Sequence, residues 1–344
     1  MPIPLCLWDS IVFLTAEAGK IKNNAEVHKM RVSEYSIKVG REVLLYCNYS
    51  EILEKVKSCG QVIISVAVAQ DKEVLAAIKM AQDVGIAQAI LVGDAHLISP
   101  MLIELGLSSA TQIIHEPDTT RAALKAVSLV KNGQAQVLMK GLINSSDFLR
   151  AVLNKDDGLR TGRLLSHLAA FEVPGQEKLI FVTDGGMNIA PTLQDKKNIL
   201  INAMLALHSM GIEKPHVAVL TANEVVSNKM PATVDAESLA EMSRAGDLPA
   251  GVVEGPISLD VAISREAMGH KGIESKVSGH VDLILVPTIE VGNILGKALI
   301  YFANSKMAGI VLGATHPIVM TSRAETPEGK LNSIALACLV NSKV

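Results

Sequence analysis

Aromatic residues and cysteines are scarce in this sequence, and their scarcity excludes several classes of protein. Phe, Trp and Tyr make up 3% of the 344 residues, which leaves few rings on which nucleic-acid bases could stack. The four cysteines form no C-x-x-C pair, so we expect reduced thiols in a cytoplasmic protein. The nine histidines form no H-E-x-x-H motif and no cluster with zinc spacing, so no metal site is predicted.

Strong charge and long apolar runs are also missing. The net charge is -3 and no basic stripe is present, which argues against a nucleic-acid partner. No apolar run reaches the roughly 18 residues of a membrane span, so no membrane partner is expected. Hydrophobic residues make up 49% of the chain and charged residues 19%. A folded protein that is long enough for two domains is therefore predicted.

From Ser50 onward, short apolar runs alternate with amphipathic stretches. Strands are predicted at about 61–68, 89–93, 112–114, 136–139, 178–183, 215–220, 283–286 and 309–313. Helices are predicted at about 72–84, 97–105, 119–131, 194–210, 236–244, 260–268 and 327–340, with another carrying Arg150. Such alternation is typical of parallel strands joined by crossover helices in an α/β fold.

One strand end carries a candidate anion site. The apolar run 283–286 predicts a buried strand that Pro287 stops, and Gly292 and Asn293 are expected to start the next helix. A helix N-terminus offers free backbone N–H groups and a positive dipole end. Lys297, one turn further on, adds a full positive charge. The alternative is an ordinary turn between a strand and a helix.

Other polar loops also follow predicted strands. They contain Lys140 with Ser145 and Arg150, the stretch 184–188, Thr315 with His316, and Ser322 with Arg323. Ligands of doubly wound sheets bind at these strand ends, and arginine holds phosphate through a planar fork of donors. Each loop alone is weak evidence for a ligand site, because Ser and Asp at such positions are also ordinary helix caps. Arg150 is equally well interpreted as a surface residue of its helix. No G-x-G-x-x-G or P-loop spacing is present.

Several of these stretches resemble the phosphate acetyltransferase and phosphate butyryltransferase family. The resemblance is carried by Met139–Arg150, Val286–Lys297 and Pro317–Arg323. Three further stretches are similar to the butyryltransferase branch, namely 184–189, 255–264 and 270–273. The resemblance covers about residues 50 to 344, with its motifs in the family's order. Residues 1–45 have no such counterpart and are expected to be an extension of unknown role, either appended or a structural arm.

The resemblance implies an isocitrate/isopropylmalate dehydrogenase-like fold of two α/β domains with parallel sheets and an interdomain cleft. We expect the first domain to comprise residues 46–165 and 319–344 and the second 166–318. The closing helix is expected to return to the first domain. A homodimer or larger homo-oligomer is also implied.

The implied reaction is reversible transfer of a butyryl or branched short-chain acyl group from coenzyme A to phosphate, directly in a ternary complex. Acyl-CoA and phosphate are substrates, and neither a metal nor a permanently bound cofactor is expected. Phosphate acetyltransferase is the near alternative. An inactive relative that binds CoA or phosphate is another. An oxidoreductase of the isocitrate dehydrogenase type would need a cluster of metal-binding aspartates, which the sequence does not show.

The resemblance also assigns site residues. Ser322 matches a serine that hydrogen-bonds the thiol or the developing oxyanion, and Arg323 and Arg150 match phosphate-binding arginines. Gly292 and Asn293 match the loop lining the cleft. The aspartate that serves as candidate base in acetyltransferases corresponds to Gly329 here. Glu328 is favoured as the base over Glu325, and the third possibility is that both glutamates merely favour a helix N-terminus.

Overall fold

The computed structural model describes residues 46–107, 111–322 and 325–342. The predicted extension, residues 1–45, and the candidate arginine Arg323 lie outside these ranges. Predictions that concern them therefore stay predictions.

Eleven strands of the described residues form one sheet. They are β1 (Val62–Ala67), β2 (Ala87–Gly93), β3 (Gln112–His115), β4 (Val137–Lys140), β5 (Ser166–Glu172), β6 (Ile180–Thr183), β7 (His216–Leu220), β8 (Val252–Ile257), β9 (Leu283–Leu285), β10 (Lys306–Leu312) and β11 (Ile318–Val319). Their order across the sheet is β3-β2-β1-β4-β11-β10-β5-β6-β9-β7-β8. The sheet is mostly parallel, as predicted. The exceptions lie at its centre, where β10 is antiparallel to β11 and β5, and β5 is antiparallel to β6.

The helices of the described residues connect these strands. They are α1 (Tyr49–Cys59), α2 (Lys72–Asp83), α3 (Ala95–Leu105), α4 (Thr119–Lys131), α5 (Ser145–Val152), α6 (Leu193–Ser209), α7 (Pro231–Ala245), α8 (Leu259–Ile263), α9 (Arg265–His270), α10 (Ile289–Ala303) and α11 (Pro327–Asn341). Side-chain caps explain several starts. Asp71 accepts hydrogen bonds from the backbone N–H groups of Glu73 and Val74 at the start of α2, as its position in the sequence predicts.

The sequence prediction missed three strands and merged two helices. None of β5, β8 and β11 was predicted, and the helix expected at about 260–268 is divided into α8 and α9. Ser264 lies between these two helices in an extended conformation and caps α9 by accepting from the backbone N–H of Ala267. A residue that caps a new helix cannot continue the previous one.

The closing helix α11 packs against α1, α2 and β10. Its residues 330–340 are all buried, which is the pattern of a helix that is covered on every side. The helix thus contacts α1 and α2 of the first predicted domain and β10 of the second, and its assignment to the first domain stays a prediction.

One sheet extends through both predicted domains. Strands β1 to β4 belong to the first predicted domain, β5 to β10 belong to the second, and β11 lies at the boundary. The division into two domains therefore stays a prediction. Among the described residues, no helix combines the length and the apolar character that a membrane span requires.

Candidate functional site

A cavity of about 750 Å³ opens beside the antiparallel centre of the sheet. Its volume falls within the range of small-molecule sites, roughly 300–1,000 Å³. The floor consists of residues from β5, β6 and β10. The walls come from the loop after β6, from α10, from the segment after β11 and from the first turn of α11.

The loop after β6 is held by one buried carboxylate. Asp184 is 3% exposed, and its Oδ1 accepts from the backbone N–H groups of Gly186 and Met187, both at 2.9 Å. Its Oδ2 accepts from the backbone N–H of His167 at 3.1 Å and from the side-chain amide of Asn188 at 2.6 Å. Four donors offset the burial of the charge and fix this loop against β5.

The same loop touches α10 through glycines. A Cβ atom on Gly185 would lie 2.7 Å from the carbonyl carbon of Gly292, so this backbone contact requires glycine at both places. Asn293 donates from its side-chain amide to the carbonyl of Gly185 at 3.4 Å. Lys297 lines the cavity one turn further along α10, with an exposed side chain.

The predicted start of α10 at Gly292 is wrong. The helix begins at Ile289, with Thr288 as the N-cap. The backbone N–H of Gly292 donates to the carbonyl of Thr288 at 3.3 Å, so it is not one of the free donors of a helix N-terminus. Gly292 therefore contributes close packing to the site, and Lys297 contributes the charge.

The segment after β11 brings Thr321 and Ser322 to the cavity, and Ser322 is exposed there. Lys330, in α11 beneath this segment, is 2% exposed. Its ammonium donates to the carbonyl of Ser322 at 3.1 Å and to that of Glu325 at 2.6 Å. The buried cation thereby fixes the backbone at Ser322 and at Glu325 to α11.

Glu325 and Glu328 both line the cavity, but their surroundings differ. Glu328 is exposed, whereas Glu325 is partly buried and its Oε1 has no hydrogen-bond partner among the described residues. Burial raises the pKa of Glu325, while Lys330 and a backbone hydrogen bond at Ser322 act in the opposite direction. A buried carboxyl with a raised pKa is able to exchange protons nearer neutral pH than an ordinary glutamate.

His167 also lines the cavity, and sequence reasoning missed it because β5 was missed. Its ring lies between Gly186 and Gly309, since a Cβ on either glycine would come within 3 Å of a ring atom. Its Nδ1 is buried and has no partner among the described residues. Burial lowers the pKa of His167, and the neighbouring Asp184 raises it only in part. The spacing His167, Ala169, Phe171 is the signal that could have revealed this strand face.

The structure gathers part of the predicted site at the cavity. Ser145, Gly292, Asn293, Lys297, Ser322, Glu325 and Glu328 all line it. Lys140, Arg150, Thr315 and His316 are absent from its lining. The arrangement offers a carboxyl, a hydroxyl and a cation beside a mostly apolar floor, which is a set suited to acyl transfer.

The residues outside the lining have other partners. Arg150 is exposed on α5 and forms an ion pair with Asp147 at 2.7 Å. The Lys140 ammonium is buried and donates to the carbonyls of Gly141 at 3.2 Å and Ile143 at 2.8 Å, so it stabilises the loop after β4. His316 Nδ1 lies 3.1 Å from the Thr315 hydroxyl, and burial lowers its pKa.

Among the described residues, one group at the ends of β2 and β3 has side chains that could hold a metal ion. Asp94, His96 and His115 offer ligand atoms that all lie within 4.8 Å of one another. However, His115 Nδ1 accepts from the backbone N–H of Ala95 at 3.1 Å, and the Asp94 carboxylate caps α3. These three residues do not line the cavity, so they do not bear on its chemistry.

Comparisons with known proteins identify the family to which the chain belongs. Residues 108–338 match the phosphate acetyl/butaryl transferase family. The chain is 47% identical over 294 residues to the phosphate butyryltransferase of Clostridium acetobutylicum, covering 85% of this chain and 98% of that relative.

Solved structures agree as well. The crystal structure of a branched-chain phosphotransacylase from Enterococcus faecalis is similar with a TM-score of 0.73 at 34% identity, covering 81% of this chain and 99% of that one. A 4-hydroxythreonine-4-phosphate dehydrogenase from Klebsiella pneumoniae has a TM-score of 0.52 at 13% identity, covering 81% of this chain and 99% of that one, which shows the fold alone. The dehydrogenase-like fold is confirmed. The chain belongs to the phosphate acetyl/butyryl transferase family of acyltransferases.

Proposed function

We propose that the chain catalyses reversible transfer of a butyryl or branched short-chain acyl group from coenzyme A to inorganic phosphate. The named relatives support this choice, since one is a phosphate butyryltransferase and another a branched-chain phosphotransacylase. The observation that carries the chemistry is the buried carboxyl of Glu325, which lines the same cavity as the Ser322 hydroxyl.

Glu325 takes the place of the missing aspartate. A Cβ on Gly329 would lie 2.8 Å from Cγ and 2.9 Å from Oε1 of Glu325. The Glu325 carboxyl therefore occupies the space into which a side chain at position 329 would point, and glycine at that position makes room for it. This supports Glu325 as the general base in preference to Glu328, which is exposed and less shielded from water.

In the direction of acyl-CoA synthesis, ionised Glu325 takes the thiol proton of coenzyme A. The thiolate then attacks the carbonyl carbon of the acyl phosphate, the C–O bond to phosphate breaks and phosphate leaves. A free thiol has a pKa of about 8.5 and a free glutamate about 4.3. A raised pKa of Glu325 narrows this gap and favours proton transfer. In the reverse direction, protonated Glu325 returns the proton to the departing thiolate.

The other polar groups bind and orient. The Ser322 hydroxyl donates a hydrogen bond to the developing oxyanion, a role that stabilises the transition state. Arg323 is proposed as a phosphate ligand from the family resemblance, and Lys297 supplies a second cation at the cavity. For Arg150 to reach phosphate, it has to give up its ion pair with Asp147. Lys140, Thr315 and His316 keep supporting roles in neighbouring loops.

The proposal has further parts that follow from the family. We infer two domains with the boundaries predicted above, a homodimer or larger homo-oligomer, and a cytoplasmic location. The reaction as written balances without a metal or a permanently bound cofactor, because the only species that change are acyl-CoA, phosphate, acyl phosphate and coenzyme A.

A thiol-release assay tests the function. Purified protein is mixed with phosphate and, in turn, acetyl-, propionyl-, butyryl- and isobutyryl-CoA, and free coenzyme A is measured. We expect release that depends on phosphate and is fastest with butyryl- or isobutyryl-CoA. Fastest release with acetyl-CoA would favour the acetyltransferase alternative, which the family's name includes. If folded protein releases no coenzyme A from any of these substrates, the result would favour an inactive relative that binds CoA or phosphate.

A further inference from the structure

The cavity floor is one face of three antiparallel strands. Residues 167, 169 and 171 of β5 alternate along that face, and residues 307 and 309 of β10 and residue 182 of β6 lie beside them. The register places Val182, Ala169 and Gly309 in one row across the strands. Phe171 and Met307 form a neighbouring pair, two residues along β5 from that row.

The side chains along this floor differ in size, and the smaller ones leave a depression. The central row consists of Val182, Ala169 and Gly309. The larger side chains of His167 and Phe171 stand on either side of Ala169 along β5. His167 bounds one end, and its ring lies over Gly309, where a Cβ would be 2.7 Å from Nε2. Phe171 bounds the other end beneath α10, where a Cβ on Gly296 would be 3.1 Å from its Cζ. We call the space over Ala169, between His167 and Phe171, the acyl well.

The acyl well connects directly to the reacting groups. The backbone N–H of Gly309 donates to the Ser333 hydroxyl at 3.0 Å, and that hydroxyl donates to the carbonyl of Gly329 at 3.1 Å. The Glu325 carboxyl in turn packs against the Cα of Gly329. The floor of the well and the candidate base are therefore fixed to the same turn of α11, which sets the distance between the well and the base.

The chemistry of the lining differs along this path. Ala169, Phe171, Val182 and Met307 are apolar, whereas Lys297, Ser322 and Glu325 line other walls of the cavity. Lys306, at the start of β10, also lines the cavity and forms an ion pair with Glu172 at 2.6 Å. The apolar stretch of lining favours methylene and methyl groups over water.

We propose that the acyl chain lies in the acyl well and that Ala169 sets the length of chain accepted. The small side chain at position 169 leaves room for a four-carbon or branched acyl group, with Phe171 closing the far end. This inference rests on the proposed function, because it assigns the part of that site that selects the substrate.

The test compares acyl preference in Ala169→Leu, in Ala169→Val and in the wild type. Filling the well should lower kcat/KM for butyryl- and isobutyryl-CoA relative to acetyl-CoA, by about 10- to 200-fold for the larger substitution, the range over which pockets discriminate one methylene. Ala169→Val should lower the same ratio of kcat/KM values by a smaller factor. It provides the test if the leucine variant does not fold. Ala170→Ser, on the opposite face of β5, is the matched control and should leave the preference unchanged.

The outcomes separate this inference from the proposed function. A folded Ala169 variant with the wild-type preference overturns the acyl well while the function stands. If the wild type shows no phosphate-dependent release, the function fails, and the well is then tested by calorimetric binding of butyryl-CoA and free coenzyme A. If Ala169→Leu binds butyryl-CoA more weakly than the wild type but binds free coenzyme A equally well, the acyl well is supported. If the variant binds both ligands more weakly by the same factor, the acyl well is overturned.

Discussion

Two glutamates three residues apart illustrate how surroundings set the role of a side chain. Glu328 lies in the first turn of α11 and is exposed, a position where a carboxylate simply favours the helix dipole. Glu325 lies just before that turn, covered by Gly329 and close to the buried Lys330. The same chemical group is therefore an ordinary surface charge in one place and a candidate base in the other.

The glutamine variants test this difference. Glu325→Gln should lower kcat by about 10²–10⁴-fold, the usual contribution of a general acid or base, because glutamine cannot exchange a proton with the thiol. Glu328→Gln is the matched control and should keep most activity. Steady-state rates with butyryl-CoA and phosphate measure both. Full activity in Glu325→Gln, or a larger loss in Glu328→Gln, would refute the assignment.

The raised pKa of Glu325 also predicts how stability depends on pH. A folded pKa above the unfolded pKa means that folding favours the protonated carboxyl. This contribution is fully present below the unfolded pKa and is lost as the pH rises through the folded pKa. Because glutamine stays neutral, the unfolding free energy of Glu325→Gln relative to wild type should rise from about pH 4.3, the ordinary glutamate value, toward neutrality. Denaturant unfolding at several pH values measures it, and parallel curves would disprove the burial effect.

Sequence reasoning found both glutamates but ranked them by position alone. The ranking depends on burial, which arises from Gly329 below Glu325 and from the Lys330 ammonium beneath the loop. Nothing in the local sequence shows that Lys330 points inward, since lysine is almost never fully buried unless its ammonium is paired. Glu325 therefore emerges as the stronger candidate only in the folded chain.

At the scale of elements, the cavity lies where the sheet changes direction. The parallel strands and their capped helices could be predicted from alternation and from residues such as Asp71. The antiparallel β5 could not, because it follows a glycine-bearing charged stretch and begins at the expected domain boundary. Since β5 supplies His167, Ala169 and Phe171, the prediction found the polar wall of the site and missed its apolar floor.

The link between α11 and the Ser322 segment gives a prediction at this scale. Lys330→Met keeps the buried stem but removes the two hydrogen bonds to the carbonyls of Ser322 and Glu325. Leaving such acceptors unsatisfied costs about 1–3 kcal/mol, and the looser turn should lower kcat more than it raises KM. Lys155→Met, at an exposed site, is the control. Thermal unfolding and steady-state kinetics report the two effects, and a variant that matches wild type in both would show that Lys330 does not position the turn.

At the scale of the whole molecule, two tyrosines attach the beginning of the described range 46–107 to the sheet. The Tyr46 hydroxyl donates to the carbonyl of Met210 at 2.8 Å, and its own carbonyl accepts from the backbone N–H of Leu179 at 2.8 Å. The Tyr49 hydroxyl donates to the carbonyl of Ala170 at 2.6 Å, directly behind the acyl well.

These contacts define where the chain can be shortened. A protein that begins at residue 46 should keep the wild-type kcat/KM and melting temperature, since it retains both tyrosines and every cavity-lining residue that the structure describes. A protein that begins at Glu51 loses Tyr46 and Tyr49, which are 4% and 3% exposed. Removing even one buried aromatic side chain of this kind costs about 3–5 kcal/mol. We therefore expect the shorter protein to unfold at lower temperature and to bind butyryl-CoA more weakly, because β5 loses its support at Ala170. Calorimetric melting and thiol release measure both proteins side by side. If the chain starting at residue 46 were already insoluble or inactive, residues 1–45 would be a structural arm instead of a dispensable extension.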